Sequence, residues 1–211
     1  MRLIDLTRVF DEPMPCYPGD PPFSLRCTST AQASGWTHYH LSCGMHTGTH
    51  IDAPLHRFTN GKSIADFPLQ RFYGRGRLID ARGRDVIDAD VLAQQEIQPN
   101  DIVLFITGMA AKFHEPDYFT KHPVLSSALA EELVRRQVSI AGIDSPSPDR
   151  EPFAVHEILL GAGVLILENL LNLEQLIGVP DFEVIALPAK FRAEAAPVRV
   201  AAKVCEMRSP S

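Results

Sequence analysis

The sequence predicts an α/β fold with a mixed β-sheet flanked by helices. Segments with strand character alternate along the chain with segments that favour helix, and this alternation is typical of α/β proteins. Hydrophobic residues make up 45% of the 211 residues, enough to build a sizeable core. The length suits a single domain spanning 1–211. The net charge of -6 argues against nucleic acid or an anionic membrane as a partner.

The N-terminal half combines short strands with an irregular segment. Five prolines between residues 11 and 22 predict an ordered loop. Asp88 is a good N-cap residue and predicts a helix at 89–96. The strands predicted in this half are apolar or rich in β-branched and aromatic residues, and they span 2–6, 36–43, 77–81 and 101–107.

The C-terminal half repeats a helix and strand pattern. Three helices are predicted, at 126–137, 153–160 and 173–177, and Gly161 and Gly163 end the second of them. A polar, proline-rich loop is expected at 145–152. The strands predicted in this half are apolar runs that span 138–144, 164–168, 183–187 and 198–204.

The composition also bears on the compartment. No run of 18 apolar residues predicts a transmembrane helix, and acids interrupt the N-terminal segment where a signal peptide would be apolar. None of the four cysteines forms a CxxC pair, so we expect them to be reduced, small and buried. These are Cys16, Cys27, Cys43 and Cys205. The sequence therefore predicts a cytoplasmic protein.

A cluster of ligand-type side chains is the strongest functional signal. Five of the eight histidines lie between residues 38 and 56. Imidazole and carboxylate are zinc ligand types, and within eleven residues the chain offers His46, His50, Asp52 and His56. Gly48 allows a tight turn, and Pro54 rules out a continuing helix, so we expect a loop or a broken strand. His38 and His40 have HxH spacing, but on a strand they either line the pocket or face solvent.

The segment resembles the signature HxGTHxDxPxH of the cyclase family of metal-dependent hydrolases. The likeness continues in other segments, which are 17–20, 63–69, 141–144, 156–160 and 166–169. The family includes bacterial kynurenine formamidases, which hydrolyse N-formylkynurenine in tryptophan catabolism, and isatin hydrolases, which open a cyclic amide. The resemblance implies a swivelling β/β/α architecture and homo-oligomers, either dimers or tetramers.

The resemblance also implies roles for individual residues. It implies a centre of Zn²⁺ or Mn²⁺, with two ions per chain, and the matching ligands are His46, His50, Asp52, His156 and Glu168. Asp52 corresponds to a bridging ligand, and His56 to the catalytic acid/base. Glu168 is a candidate ligand even apart from the resemblance, because a carboxylate that ends an apolar strand is costly to bury unless it is paired or metal-bound.

Aromatic residues are candidates for the walls of the site. Tyr17 corresponds to a substrate-contacting position at which formamidases of the family usually carry Trp. Tyr keeps an aromatic face, but it is smaller and adds a hydroxyl group. Trp36 and Phe58 are further candidates, although each is equally compatible with ordinary packing.

We therefore predict a metal-dependent hydrolase that uses activated water to cleave a small amide, such as an aryl formamide. A cyclic amide or a lactone is the alternative substrate. Two other classes remain. A non-haem iron oxygenase could use His50, Asp52 and His156 as a facial triad, but it would leave the remaining ligand types without a role. A non-catalytic metal-binding domain is the second, and a turnover assay separates it from an enzyme.

Overall fold

The computed structural model describes residues 1–204, and β-strands dominate it. The strands are β1 (Arg2–Asp5), β2 (Ser24–Ser29), β3 (His38–Ser42), β4 (His50–Asp52), β5 (Tyr73–Asp80), β6 (Val86–Ile87), β7 (Ile102–Ile106), β8 (Val124–Leu125), β9 (Ile140–Ile143), β10 (Leu165–Glu168), β11 (Phe182–Pro188) and β12 (Ala195–Val204). The α-helices are α1 (Ala31–Ser34), α2 (Ser127–Arg135) and α3 (Ala154–Gly161). Short 3₁₀ turns span Pro54–His56, Ile64–Asp66, Leu69–Phe72, Ala89–Leu92, Met109–Lys112 and Leu173–Leu176.

Eight of the strands within residues 1–204 join in one sheet, in the order β1-β12-β11-β5-β7-β9-β10-β4. The sheet closes on itself because the long strand β12 also pairs with β4, with Ala195 opposite Asp52. The pairs β5–β7, β7–β9 and β9–β10 are parallel, and the other pairs in this sheet are antiparallel. The predicted α/β class with a mixed sheet is confirmed.

Strand β7 shows how the sheet separates two apolar layers. Its five residues are all buried, and successive side chains point to opposite faces. Ile102 and Leu104 pack into a cluster with β11 and β12, whereas Val103 and Phe105 pack against the helical layer formed by α2 and α3. An apolar run without polar alternation therefore marks a strand that is covered on both sides.

The prediction of a helix at 89–96 is wrong. Asp88 does cap the segment, since its carboxylate accepts a hydrogen bond of 2.8 Å from the Ala89 amide, but only a 3₁₀ turn forms, at Ala89–Leu92. Leu92 is the only buried residue of that turn, and residues 93–96 are exposed. Since most helix stability comes from packing an apolar face, no further turns are stabilised.

The hairpin formed by β2 and β3 stands apart from the closed sheet. The two strands pair only with each other, and every side chain of β3 is exposed. This overturns the expected burial of the cysteines, because Cys27 on β2 is exposed, and Cys16 and Cys43 are half-buried. Cys205 lies outside the described residues. In residues 1–204, no helix combines the length and the apolar character that crossing a membrane requires.

Candidate metal centre

Strand β4 is the framework of the site. His50 and Asp52 are its first and third residues and share one face of the strand. The antiparallel register with β10 places Glu168 directly opposite His50. His156 lies in the first turn of α3, and His56 ends the 3₁₀ turn that follows β4. The closed sheet thereby brings together residues that are more than a hundred positions apart in sequence.

The side chains converge to contact distances. His46 Nδ1 lies 3.0 Å from Asp52 Oδ1, and His50 Nε2 lies 3.1 Å from Glu168 Oε2. His156 Nε2 lies 3.5 Å from Glu168 Oε1 and 3.8 Å from Asp52 Oδ2. The structure therefore brings all five predicted ligands into one cluster, four of which are almost fully buried, while His46 is partly exposed.

Several atoms of the cluster lack a hydrogen-bond partner of acceptable geometry. Within residues 1–204 these buried atoms are His50 Nε2, both carboxylate oxygens of Asp52, and Glu168 Oε1. Buried polar atoms are nearly always satisfied, and two buried carboxylates side by side need positive charge to offset their repulsion. The cluster therefore has the donor set and the unsatisfied atoms of a divalent metal site.

Two overlapping groups within residues 1–204 have ligand atoms close enough to hold an ion. One consists of His50, Asp52 and Glu168, and the other of His46, Asp52 and His56. Asp52 is common to both groups. A carboxylate shared by two ligand groups is the arrangement that a bridging ligand requires.

The buried charges of the cluster shift the pKa values of its histidines. Burial opposes protonation of His46, but the Asp52 carboxylate outweighs it and raises the pKa of His46 to about 9. Burial likewise opposes protonation of His156, but hydrogen bonds to Asp149 and Glu168 raise its pKa to about 10. His56 differs, because burial is the larger influence and lowers its pKa. His56 is therefore neutral at pH 7 and able to accept a proton.

Asp149 is a contributor that the sequence analysis missed. Its Oδ1 accepts a 2.6 Å hydrogen bond from His156 Nδ1, and its Oδ2 accepts one of 2.7 Å from the Val155 amide at the start of α3. The carboxylate thus orients the imidazole so that Nε2 faces Glu168. An acid five residues before a helix is a weak signal, and only the folded loop brings it back to the helix N-terminus.

The cluster lies at one side of a cavity of about 250 Å³. Aromatic walls come from Tyr17, Phe119 and Phe153, and the Tyr17 and Phe119 rings meet edge to face at 5.6 Å. The polar residues at this cavity that were not predicted are Asp20, Arg57, Ser147 and Asn169.

The remaining candidates of the sequence analysis lie elsewhere. Trp36 does not line this cavity but is exposed beside β3, and Phe58 borders a neighbouring surface groove. His38 and His40 are exposed on β3, so they face solvent rather than the cluster. For Trp36, His38 and His40 the origin is the β2–β3 hairpin, which pairs only with itself and leaves these side chains exposed.

Comparison with known proteins agrees with this geometry. A family model described as putative cyclase matches residues 4–150. A kynurenine formamidase of Bacillus cytotoxicus is 34% identical over 204 residues, covering 93% of this chain and 94% of its own. One from Bacillus thuringiensis subsp. konkukian is 33% identical over 206 residues, covering 95% and 96%.

Solved structures give the same result. A potential metal-dependent hydrolase with cyclase activity superposes with a TM-score of 0.80 at 30% identity, covering 97% of this chain and 98% of its own. Isatin hydrolase A from Ralstonia solanacearum superposes with a TM-score of 0.85 at 26% identity, covering 96% and 92%. Fold and site together define a metal-dependent hydrolase. More narrowly, the chain belongs to the cyclase family.

Proposed function

We propose that this enzyme hydrolyses an aryl formamide such as N-formylkynurenine, giving the aryl amine and formate. The similarity over nearly the whole chain to two kynurenine formamidases supports this substrate. The cavity agrees with it, since aromatic walls stand beside the ligand cluster and can pack on an aryl ring. In that case the enzyme acts in tryptophan catabolism.

The proposed ligands are the five residues of the cluster, namely His46, His50, Asp52, His156 and Glu168. Asp52, shared by both ligand groups, is proposed to bridge two ions, and the mixture of imidazole and carboxylate suits Zn²⁺ or Mn²⁺. When bound, a divalent ion would supply Lewis-acid chemistry, lowering the pKa of water and polarising a carbonyl group.

His56 is the proposed catalytic acid/base. Its ring centroid lies 4.2 Å from that of His46 and 5.7 Å from that of His156, so it borders the cluster. A ring nitrogen of the neutral imidazole would accept a proton from the attacking water and then deliver it to the departing amine nitrogen. His56 also belongs to one of the two ligand groups, and the metal content of a His56→Ala variant distinguishes proton transfer from ligation.

Tyr17 is the proposed substrate-binding wall. Its ring contacts Phe119 and lines the cavity, while the side chain stays 40% exposed. A partly exposed ring at a cavity wall can gain contact area when an aryl substrate enters.

A cyclic amide is the second candidate substrate, supported by the superposition on an isatin hydrolase. The deciding experiment loads the protein with Zn²⁺ or Mn²⁺ and measures steady-state kinetics on N-formylkynurenine and on isatin. We expect turnover of the formamide with the larger kcat/KM. Turnover of isatin alone would replace the first substrate by the second. Turnover of neither by protein with full metal content would contradict both, and Asp52→Asn serves as the inactive control.

We also propose a homo-oligomer that works in the cytoplasm. The β2–β3 hairpin exposes Trp36 by 65% and Tyr39 by 63%, and exposed apolar side chains on a projecting hairpin are typical of an interface. The free thiols in the described part of the chain suit a reducing compartment. Sedimentation at several concentrations tests the assembly, since a Trp36→Ser, Tyr39→Ser variant should be smaller than wild type.

A further inference from the structure

Asn169 is a buried polar residue beside the cluster for which no role has been given so far. It follows the proposed ligand Glu168, lines the cavity and is 4% exposed. Its backbone is fixed on both sides, because its amide donates to the Ser145 carbonyl at 3.0 Å and its carbonyl accepts from Thr49 Oγ1 at 2.8 Å. The residue also adopts φ of 57°, a left-handed conformation that Asn tolerates well.

The carboxamide of Asn169 is oriented by Tyr118. The Tyr118 hydroxyl donates a 2.7 Å hydrogen bond to Asn169 Oδ1, and Tyr118 is itself 1% exposed. Burial raises the pKa of this phenol well above its usual range, although the Arg8 guanidinium beside it opposes the shift. The hydroxyl group therefore keeps its proton at neutral pH.

Arg8 lies near the Tyr118 hydroxyl, since its guanidinium is among the groups that influence the pKa of that phenol. A guanidinium carries only donors, so toward Arg8 the Tyr118 oxygen can only accept. The hydroxyl proton is then free to point at Asn169, and the carboxamide must present Oδ1 to Tyr118. Arg8 is itself held in place, since it stacks 3.7 Å from the centroid of the Phe113 ring and donates to the Ala110 carbonyl at 3.0 Å.

The other end of the carboxamide is the donor Nδ2, and it belongs to a residue that lines the cavity. With Oδ1 engaged by Tyr118, Nδ2 must point away from it, and within residues 1–204 Nδ2 donates to no protein acceptor. A donor that is held rigidly, has no protein acceptor and lies beside a reaction site is pre-organised for a ligand oxygen.

We propose that Asn169 Nδ2 donates a hydrogen bond to the carbonyl oxygen of the scissile amide, with Tyr118 as the positioning residue that orients it. The inference rests on the proposed amide hydrolysis. As water adds to the carbonyl carbon, the oxygen gains negative charge, so the hydrogen bond strengthens on the way to the transition state. Loss of one such donor typically lowers kcat by about 10²- to 10³-fold.

The test uses Asn169→Gly in the metal-loaded full chain. Glycine adopts the left-handed conformation without strain and adds no charge, so the substitution removes only the carboxamide. The matched control is Asn172→Gly, since Asn172 has φ of 59° but donates to the Asp5 carbonyl on the exposed surface. We expect Asn169→Gly to retain metal by elemental analysis and to lose about 10²-fold in kcat, whereas the control stays near wild type.

A substrate change identifies the atom that is contacted. Sulfur accepts hydrogen bonds poorly, so wild type should prefer formanilide to thioformanilide, and Asn169→Gly should lose at least about ten-fold of that preference. Tyr118→Phe should shift the preference in the same direction by a smaller factor. A merely structural role would lower activity on both compounds alike. An unchanged preference in Asn169→Gly overturns the proposal.

A binding measurement separates this inference from the proposed function. Formate carries the same kind of oxygen acceptor, and calorimetry on Zn²⁺-loaded protein needs no turnover. We expect formate to bind about ten-fold more weakly to Asn169→Gly than to wild type. Equal affinity, including no measurable binding by either, counts against the role of Asn169. If the wild-type protein binds formate but hydrolyses no formamide, the proposed function is contradicted instead.

Discussion

At the scale of single residues, the second and the last histidine of the signature, His50 and His56, have different surroundings. His50 is fully buried and fixed by a 2.9 Å contact between its Nδ1 and the Gly48 carbonyl, which leaves Nε2 for a ligand. His56 has no comparable hydrogen bond among the described residues and is only partly buried. The difference supports ligation by the first and proton transfer by the second.

His56→Ala should therefore keep its metal and lose about 10²- to 10⁴-fold in kcat, the usual range for a general acid/base. Elemental analysis and steady-state kinetics on the same preparation measure both quantities. His46→Ala should lose metal, and the exposed His40→Ala should change neither. A metal-poor His56→Ala protein would show that His56 is a ligand.

Asp149→Asn should weaken metal binding by about 10- to 100-fold, because the amide no longer fixes the tautomer and the ring orientation of His156. Competition with a fluorescent chelator measures the affinity. Asp117→Asn, which alters an exposed ion pair with Lys121, provides the control. If Asp149→Asn binds metal as tightly as wild type, its carboxylate only caps helix α3.

The residues that could be predicted from the sequence are those with a local pattern. His46, His50 and Asp52 lie close together in the chain, so their spacing was visible. Asp149 and Asn169 act through contacts made by loops and through one oriented amide, and nothing in their sequence neighbours indicates those contacts.

At the scale of elements, Gly61 determines the position of the 3₁₀ turn that carries His56. A Cβ at this glycine would lie 2.4 Å from the Pro54 carbonyl carbon and 2.5 Å from the Leu55 nitrogen, so the backbone of the turn would have to move. Gly61→Ala should cost about 1–3 kcal/mol of stability and lower kcat by up to about 10²-fold.

Thermal denaturation and kinetics test this, with Gly83→Ala as the control. Gly83 also resists substitution, since its φ is 80°, but no atom lies within 4 Å of the added Cβ. The control should lose a similar stability, about 1–2 kcal/mol, and keep full activity. Equal activity of both variants would show that the turn tolerates displacement.

Helix α2 provides a pH-dependent contribution to stability. Ion pairs with Arg135 and Arg136 lower the pKa of Glu132 from 4.5 to about 2. A lowered folded-state pKa stabilises the protein above pH 4.5, and this contribution is lost as the pH falls from about 4.5 to about 2.

Glu132→Gln should therefore cost about 0.5–1 kcal/mol at pH 7 and almost nothing near pH 2. Urea denaturation at both pH values measures it. Glu131→Gln is the control, since that carboxylate makes no ion pair within the described chain. An equal loss for Glu132→Gln at both pH values would contradict the ion-pair origin.

Elements were predictable where the local pattern and the tertiary environment agree. Strand β7 and helices α2 and α3 were expected close to their observed bounds, because an apolar run or a capped amphipathic segment is also what the core requires. Strand β2 was missed, since its mixed polar sequence is extended only through pairing with β3.

At the scale of the whole molecule, metal and stability are linked. Binding to the folded state alone adds about 4 kcal/mol when the metal is at a thousand times its Kd. For a chain of this size, removal of the metal by a chelator should then lower the Tm by about 8–16 °C. Differential scanning calorimetry measures the shift, and an unchanged Tm would contradict a metal at this buried cluster.

The shift should also depend on pH. In the metal-free fold, the raised pKa values of His46, about 9, and His156, about 10, mean that protons stabilise the cluster at low pH. That stabilisation is complete below about pH 6.5 and is lost as the pH rises to about 9 for His46 and about 10 for His156. Because metal must displace these protons, the chelator should lower the Tm less at pH 6 than at pH 9. The opposite trend would show that other groups control binding.

The closure of the sheet could not be read from the sequence, since it depends on which strands meet in space. It has a consequence for metal exchange. Strand β4 is paired on one side with β10 and on the other with β12, so strand pairing holds the backbone that carries His50 and Asp52. A zinc finger must fold around its metal. Here, because strand pairing positions the backbone, we expect metal uptake to order mainly side-chain rotamers, whose entropic cost is small. One folded preparation can therefore be stripped and reloaded with different ions, allowing their reactivities to be compared on an unchanged scaffold.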